Sequence, residues 1–187
     1  MHKRLFWGLV GCFFYVTLGF GATSFPKQQG YVTDHLGVIS TQERALMSAI
    51  SRRVELASKV QIATVVIETL PPNQTVESYA SRLFEDWGIG GKSVNKGLLL
   101  LLFVKDKKIR VEVGYGLEGV VSDGKSGELL DEYVIPYFKK GNLSKGLLMG
   151  HLSLAQHIAT VYDFPLDGAA PVRQAQPARP LGIAELI

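Results

Sequence analysis

Glu118 and Asp123 are the acids whose placement invites chemistry, because they bracket one glycine-bearing turn. Two carboxylates joined by a turn that exposes backbone carbonyls offer oxygen ligands to a hard cation such as Ca²⁺. A local reading competes: Asp123 or Ser122 caps the following helix, and Glu118 is merely solvated. Asp34 is the other isolated acid, and it stands shortly before the first helical segment. There the plain alternative is a loop residue near a helix start.

Two glycine patterns tempt toward nucleotides. Gly114 to Gly119 spells G-x-G-x-x-G, and Gly119 to Ser126 spells G-x-x-x-x-G-K-S. A dinucleotide fold needs a further parallel strand ending in an acid about twenty residues on. A P-loop follows a parallel strand directly and takes an acidic strand end for magnesium. Only helical patterns lie downstream, so no nucleotide is expected. No H-E-x-x-H and no G-x-S-x-G occurs. His151 and His157 stand six apart on a helix and share no face, while His35 sits in a loop; all three read as surface residues. With no evident nucleophile–base pair, catalytic residues stay unassigned and binding ranks above catalysis.

The elements that position these residues follow from periodicity. Ser40-Thr41-Gln42-Glu43 is a capping box, opening a helix to about Ser58 with Leu46, Ile50, Val54 and Ala57 on one stripe. Val60 to Ile67 is a β-branched strand, and Thr75 to Trp87 a helix with Val76, Tyr79, Leu83 and Phe84 inward. After the glycine-rich loop 88–97, Leu98 to Val104 is a continuous apolar run, as for a strand buried on both faces. Lys108 to Val113 alternates, which suits a half-exposed strand hairpinned to its predecessor. Two more helices follow, over about 123–134 and 143–161. The order α-β-α-β-β-α-α predicts a single α/β domain, a three-layer sandwich whose mixed sheet carries helices on both faces. Tracing that topology puts Asp34 and Asp106 at one end of the sheet and Gly114 to Asp123 at the other. At most two of the three candidate acids then share one ion.

The remaining sequence sets compartment and charge. The chain has 187 residues, one cysteine and a formal charge of +3. Lys3 and Arg4 precede an uncharged apolar run, Leu5 to Phe20, which ends in small residues. That is the pattern of a secretory signal. We rank a cleaved signal over residues 1–24 above the two alternatives, an uncleaved anchor and lipidation at Cys12. Removing it leaves no cysteine, and residues 31–163 carry fifteen basic and fifteen acidic side chains. A neutral domain gives no long-range field for nucleic acid. Residues 25–30 read as a polar leader, 31–163 as the domain, and 164–187 as a disordered Ala-, Pro- and Gln-rich tail.

Taken together these segments resemble one family, the TPM domain. The carriers are Tyr31-Val32-Thr33-Asp34, Gly37 to Ser40 with Glu43, Phe84 to Gly90, and Gly97 with its leucines. Val111 to Gly119, Asp123, Gly127, Ile135 to Phe138 and Gly141 to Gly150 complete the match over about 31–163. The resemblance implies an exported or membrane-attached α/β domain, linked in some members with calcium. Phosphatase activity is ascribed to some plant relatives, and others assist assembly or repair of membrane complexes. Carried over residue by residue, it favours Glu118 and Asp123 as metal positions, with Asp34 third. Lys125 and His35 depart from the family pattern, which makes the P-loop spelling accidental and leaves His35 without a role. The expectation is a periplasmic or secreted Ca²⁺-binding accessory domain with an envelope or membrane-protein partner. The alternative is a metal-assisted phosphomonoesterase.

Overall fold

The computed structural model describes residues 25–166. The signal proposed over 1–24 and most of the expected tail lie outside the described residues. Four strands form one sheet in the order β1 (Val32–Asp34), β2 (Gln61–Ile67), β3 (Gly97–Phe103) and β4 (Lys108–Val113). The first three are parallel, and β4 closes a hairpin antiparallel to β3, with Leu98 opposite Val113 and Phe103 opposite Lys108. The helices are α1 (Thr41–Ser58), α2 (Val76–Trp87), α3 (Asp123–Tyr133), α4 (Ile135–Phe138) and α5 (Leu143–Val161). The single α/β sandwich with helices on both faces is therefore present.

Alternation along β2 and β3 divides the core. Ile62, Val66, Leu98, Leu100 and Leu102 face α1, α3 and α5. Ala63, Val65, Leu99, Leu101 and Phe103 face α2. β1 to β2 and β2 to β3 step across the sheet in the same direction, yet α1 and α2 lie on opposite faces. The two crossovers therefore have opposite hands, and one departs from the right-handed rule. Local chemistry starts each long helix: Ser40, Thr75, Ser122 and Asn142 accept from backbone amides three residues on.

Four details differ from the sequence reading. Val32–Asp34 is a strand, because the chain pairs there with Thr64–Val66. On α1 the buried side chains are Met47, Ile50, Ser51, Val54 and Ser58. Leu46 and Ala57 point outward, so the stripe is rotated by one residue from the expected one. The leader is not merely polar: the Phe25 ring packs edge-on to Tyr79 at 5.2 Å, under the Arg82 guanidinium. Phe164 and Leu166, expected in the tail, pack against the core. No helix among the described residues is long and apolar enough to cross a membrane.

Candidate metal site

The sheet has two acid-bearing ends. Asp34 closes β1 opposite Val66, at the end where the parallel strands finish. Its side chain is fully buried and already partnered. The Leu36 amide donates to Oδ1 at 3.1 Å, and the Ile39 amide to Oδ2 at 2.7 Å. Arg44 Nη2 donates to Oδ2 at 3.3 Å and to the Asp34 carbonyl at 3.0 Å. This carboxylate shapes the turn into α1 and anchors that helix to β1. At the same end Asp106 accepts from the Leu70 amide and the Thr69 hydroxyl. Those two bonds hold its carboxyl below the usual range.

Glu118 and Asp123 lie at the opposite end, where Gly97 begins β3 and Val113 ends β4. Both are exposed. Glu118 closes the short 3₁₀ turn Tyr115–Leu117, and Asp123 opens α3 behind the Ser122 cap. The cap half of the competing reading is thus present: Ser122 Oγ accepts from the Lys125 amide at 3.2 Å. The structure keeps these two acids on one connecting segment and separates them from Asp34, as the topology required. Among the described residues no group of three or more His, Cys, Asp or Glu is arranged to hold a metal.

What makes this end rigid is backbone contact. The Gly116 amide donates to the Asn95 carbonyl at 3.1 Å, and the Gly114 amide to the Gly97 carbonyl at 2.9 Å. A Cβ on Gly114 would lie 2.2 Å from the Asn95 carbonyl oxygen, and one on Gly116 2.2 Å from that of Val94. Two backbones pressed this closely exclude any side chain at either position. The G-x-G-x-x-G spelling therefore records packing of loop 88–97 on the turn. The P-loop spelling forms no cradle either: it follows a 3₁₀ turn, Lys125 pairs with Glu128 at 2.9 Å, and Ser126 is buried.

Two polar features escaped the sequence reading. His151 is fully buried, contrary to the surface position expected of it. Its Nε2 lies 3.0 Å from Ser51 Oγ and its Nδ1 2.9 Å from Thr64 Oγ1, while Ser51 donates to the Ile62 carbonyl. Burial pushes the imidazole down to about 4, a nearby Met47 carbonyl opposing it, so the ring is neutral at pH 7. A lone histidine inside the run Leu147 to Ala155 was the available signal. The second is a chain of bonds at the strand-start end. The Gly90 amide donates to Gln61 Oε1, Gln61 Nε2 to Glu55 Oε1, and the Tyr31 hydroxyl to Glu55 Oε2. Tyr31, Glu55 and Gln61, together with Ile89 and Gln28, line a cavity of about 290 Å³. The Glu55 contact also raises the Tyr31 phenol.

Comparison with known proteins supplies the family. No curated protein matches the chain. In solved structures the fold resembles the N-terminal domain of a protein from P. gingivalis, at 30% identity and a TM-score of 0.66 over 72% of this chain and 85% of that one. The BA42 protein of Bizionia argentinensis is similar at 22% identity, with a TM-score of 0.56 over 70% and 86%. The N-terminal domain of cg2496 from Corynebacterium glutamicum is similar at 16%, with 0.53 over 75% and 85%. Likeness at those two lower identities concerns fold alone. The TPM domain profile matches residues 32–157, most of the described chain, and this protein belongs to the TPM domain family.

Proposed function

We propose that this TPM-domain protein is exported to the cell envelope and binds Ca²⁺ there through Glu118 and Asp123. In that role it serves as an accessory domain for an envelope or membrane-protein complex. The observation that carries the reading is the contrast between ends: these carboxylates are exposed on a rigid turn, whereas Asp34 is buried against Arg44 and two amides. Asp34 does not fit a metal, because an ion would have to displace those partners. Glu118 and Asp123 fit as two of the six to eight oxygens that Ca²⁺ takes, with turn carbonyls and water as the rest. So few protein charges imply a weak site, with Kd on the order of 10⁻⁴–10⁻³ M. A bound cation would supply positive charge that ties the turn to α3 and offers open coordination to a partner's oxygens.

A metal-assisted phosphomonoesterase would use the same two acids. The Ser–His contact found among the described residues, Ser51–His151, is sealed in the core and cannot serve as nucleophile and base. Binding therefore ranks above catalysis. The test is calorimetric titration of residues 25–166 with Ca²⁺, repeated with Glu118→Gln and Asp123→Asn. Heat that disappears in both variants supports the reading, and no heat in the parent domain sinks it. Turnover of a generic phosphomonoester that survives in both variants would show that these acids are not its ligands.

A further inference from the structure

The sheet has two edges, and they are finished differently. β1 is three residues long, and its outward Asp34 amide donates to Gln29 Oε1 at 3.3 Å. β4 runs six residues, Lys108–Val113, with no proline and no break in its register against β3. The Gly114 amide donates to the Gly97 carbonyl, and an antiparallel ladder repeats every second residue. Glu112, Arg110 and Lys108 therefore bond inward to Leu99, Leu101 and Phe103. Ile109, Val111 and Val113 turn their N–H and C=O groups to the outer edge. Among the described residues nothing bonds to those groups. An open ladder of this kind is a template for another strand.

The side chains decide which strand fits. Lys108, Arg110 and Glu112 lie on the α2 face with Leu99, Leu101 and Phe103. Arg110 and Glu112 stand two apart with opposite signs, and Arg110 Nε donates to Glu112 Oε2 at 2.8 Å. Arg110 also approaches Glu77 of α2 at 3.8 Å. Ile109, Val111 and Val113 lie on the other face, in or against the larger core cluster. A second copy running antiparallel must bond through the same three outward residues, so its register slides only in steps of two. With Val111 opposite its own copy, Ile109 meets Val113, Arg110 meets Glu112, and Lys108 meets only Gly114. One step either way sets Arg110 against Arg110 or Glu112 against Glu112, and like charges directly opposite are destabilising.

We propose that β4 pairs with β4 of a second copy, antiparallel about a two-fold axis at Val111. Two four-stranded sheets then become one continuous sheet. Arg110 and Glu112 of both copies form a ring of alternating charges on the α2 face, and the outward N–H and C=O groups are paired. A single short edge buries less than about 1,200 Å² in total, so the dimer is a weak one. The inference uses no residue of the Glu118–Asp123 turn and stands apart from Ca²⁺ binding.

Sedimentation equilibrium in EDTA over about 10–500 µM tests it, with residues 25–166 and the full chain in parallel. The P. gingivalis neighbour was solved as an isolated N-terminal domain of similar extent, so residues 25–166 are a sensible folded unit. The expected result is a monomer–dimer equilibrium. Arg110→Glu alone, or Glu112→Arg alone, sets like charges opposite each other and should weaken dimerisation at least about tenfold. Mixing those two variants should restore it, as should the double swap in one chain. Circular dichroism checks that each variant is folded. In amide hydrogen exchange Ile109, Val111 and Val113 should gain protection as concentration rises, while Arg110 and Glu112 stay protected throughout. A chain that is monomeric at every concentration overturns the proposal. So does a dimer that ignores the charge reversals or leaves those three amides open, because the copies then meet elsewhere. Protection of the edge in the full chain alone, without dimerisation, also overturns it, since the chain's own tail would be the added strand.

Discussion

The acids at the end where the parallel strands finish and the two on the turn after β4 are treated in opposite ways. At the first, Asp34 is wrapped by two amides and a guanidinium, Asp106 by an amide and a hydroxyl, and Glu68 by Lys105 at 2.8 Å. At the second, Glu118 and Asp123 stand in water beside Tyr115, which is 79% exposed. The opposite-handed crossovers send the chain from β1 and from β2 to opposite faces, which opens the kind of crevice where α/β sheets often bind ligands. Here that crevice is laced by its own side chains. An acid marks a binding end only while its lone pairs are uncommitted.

Mutation can break that contrast. The largest effect is expected for Asp34→Ala, which orphans the Leu36 and Ile39 amides and releases Arg44. It should cost about 2–5 kcal/mol in urea unfolding, against within about 0.5 kcal/mol for Glu118→Gln or Asp123→Asn without Ca²⁺. Equal losses at both ends would abolish the distinction.

Acid should next expose the buried imidazole. His151 titrates near 4 when folded and near 6.5 when unfolded, so the unfolded chain binds more protons between those values. Stability from this group is complete above pH 6.5 and is lost as pH falls toward 4, by about 3 kcal/mol in total. Urea midpoints at pH 7 and 4.5 should differ less in His151→Gln than in the parent. An unchanged difference would mean that the ring does not titrate as its burial requires.

The glycines sharpen the comparison within a single turn. Gly116→Ala drives a methyl into the Val94 carbonyl and should cost about 1–3 kcal/mol or more. Gly119→Ala meets nothing within 4 Å at an ordinary φ and should be within about 0.5 kcal/mol of neutral. The smallest effect belongs to the ion. With Kd of about 1 mM, 10 mM Ca²⁺ should stabilise the domain by about 1.4 kcal/mol. The resulting rise in Tm should vanish in Glu118→Gln.

Patterns that depend on near neighbours were legible in the sequence. The α2 stripe, the buried β3 run and the β4 alternation all stand where periodicity put them, as does the Ser40 cap of α1. The misreadings required distant partners. Val32–Asp34 is a strand only through β2, and its three residues carry no period of their own. Ser51 looks like a surface residue until the Ile62 carbonyl and His151 supply its bonds, and misplacing it rotated the α1 stripe. Glu118 and Asp123 were visible as a pair, but the occupation of Asp34 was not. Its partners are an arginine one turn into a helix and amides of a loop whose path cannot be read from composition.

The bonds joining α1 to α5 carry a consequence for biogenesis. Glu43 meets Ser144 across 101 residues, and Ser51 meets His151 across 100. The α1 layer therefore lacks its helical neighbour until α5 has been synthesised. Contacts this remote in sequence slow folding and defer it to the end of synthesis. A domain that stays open until α5 emerges is one that a translocation machine can still thread. On the export route proposed above, closure would fall on the far side of the membrane.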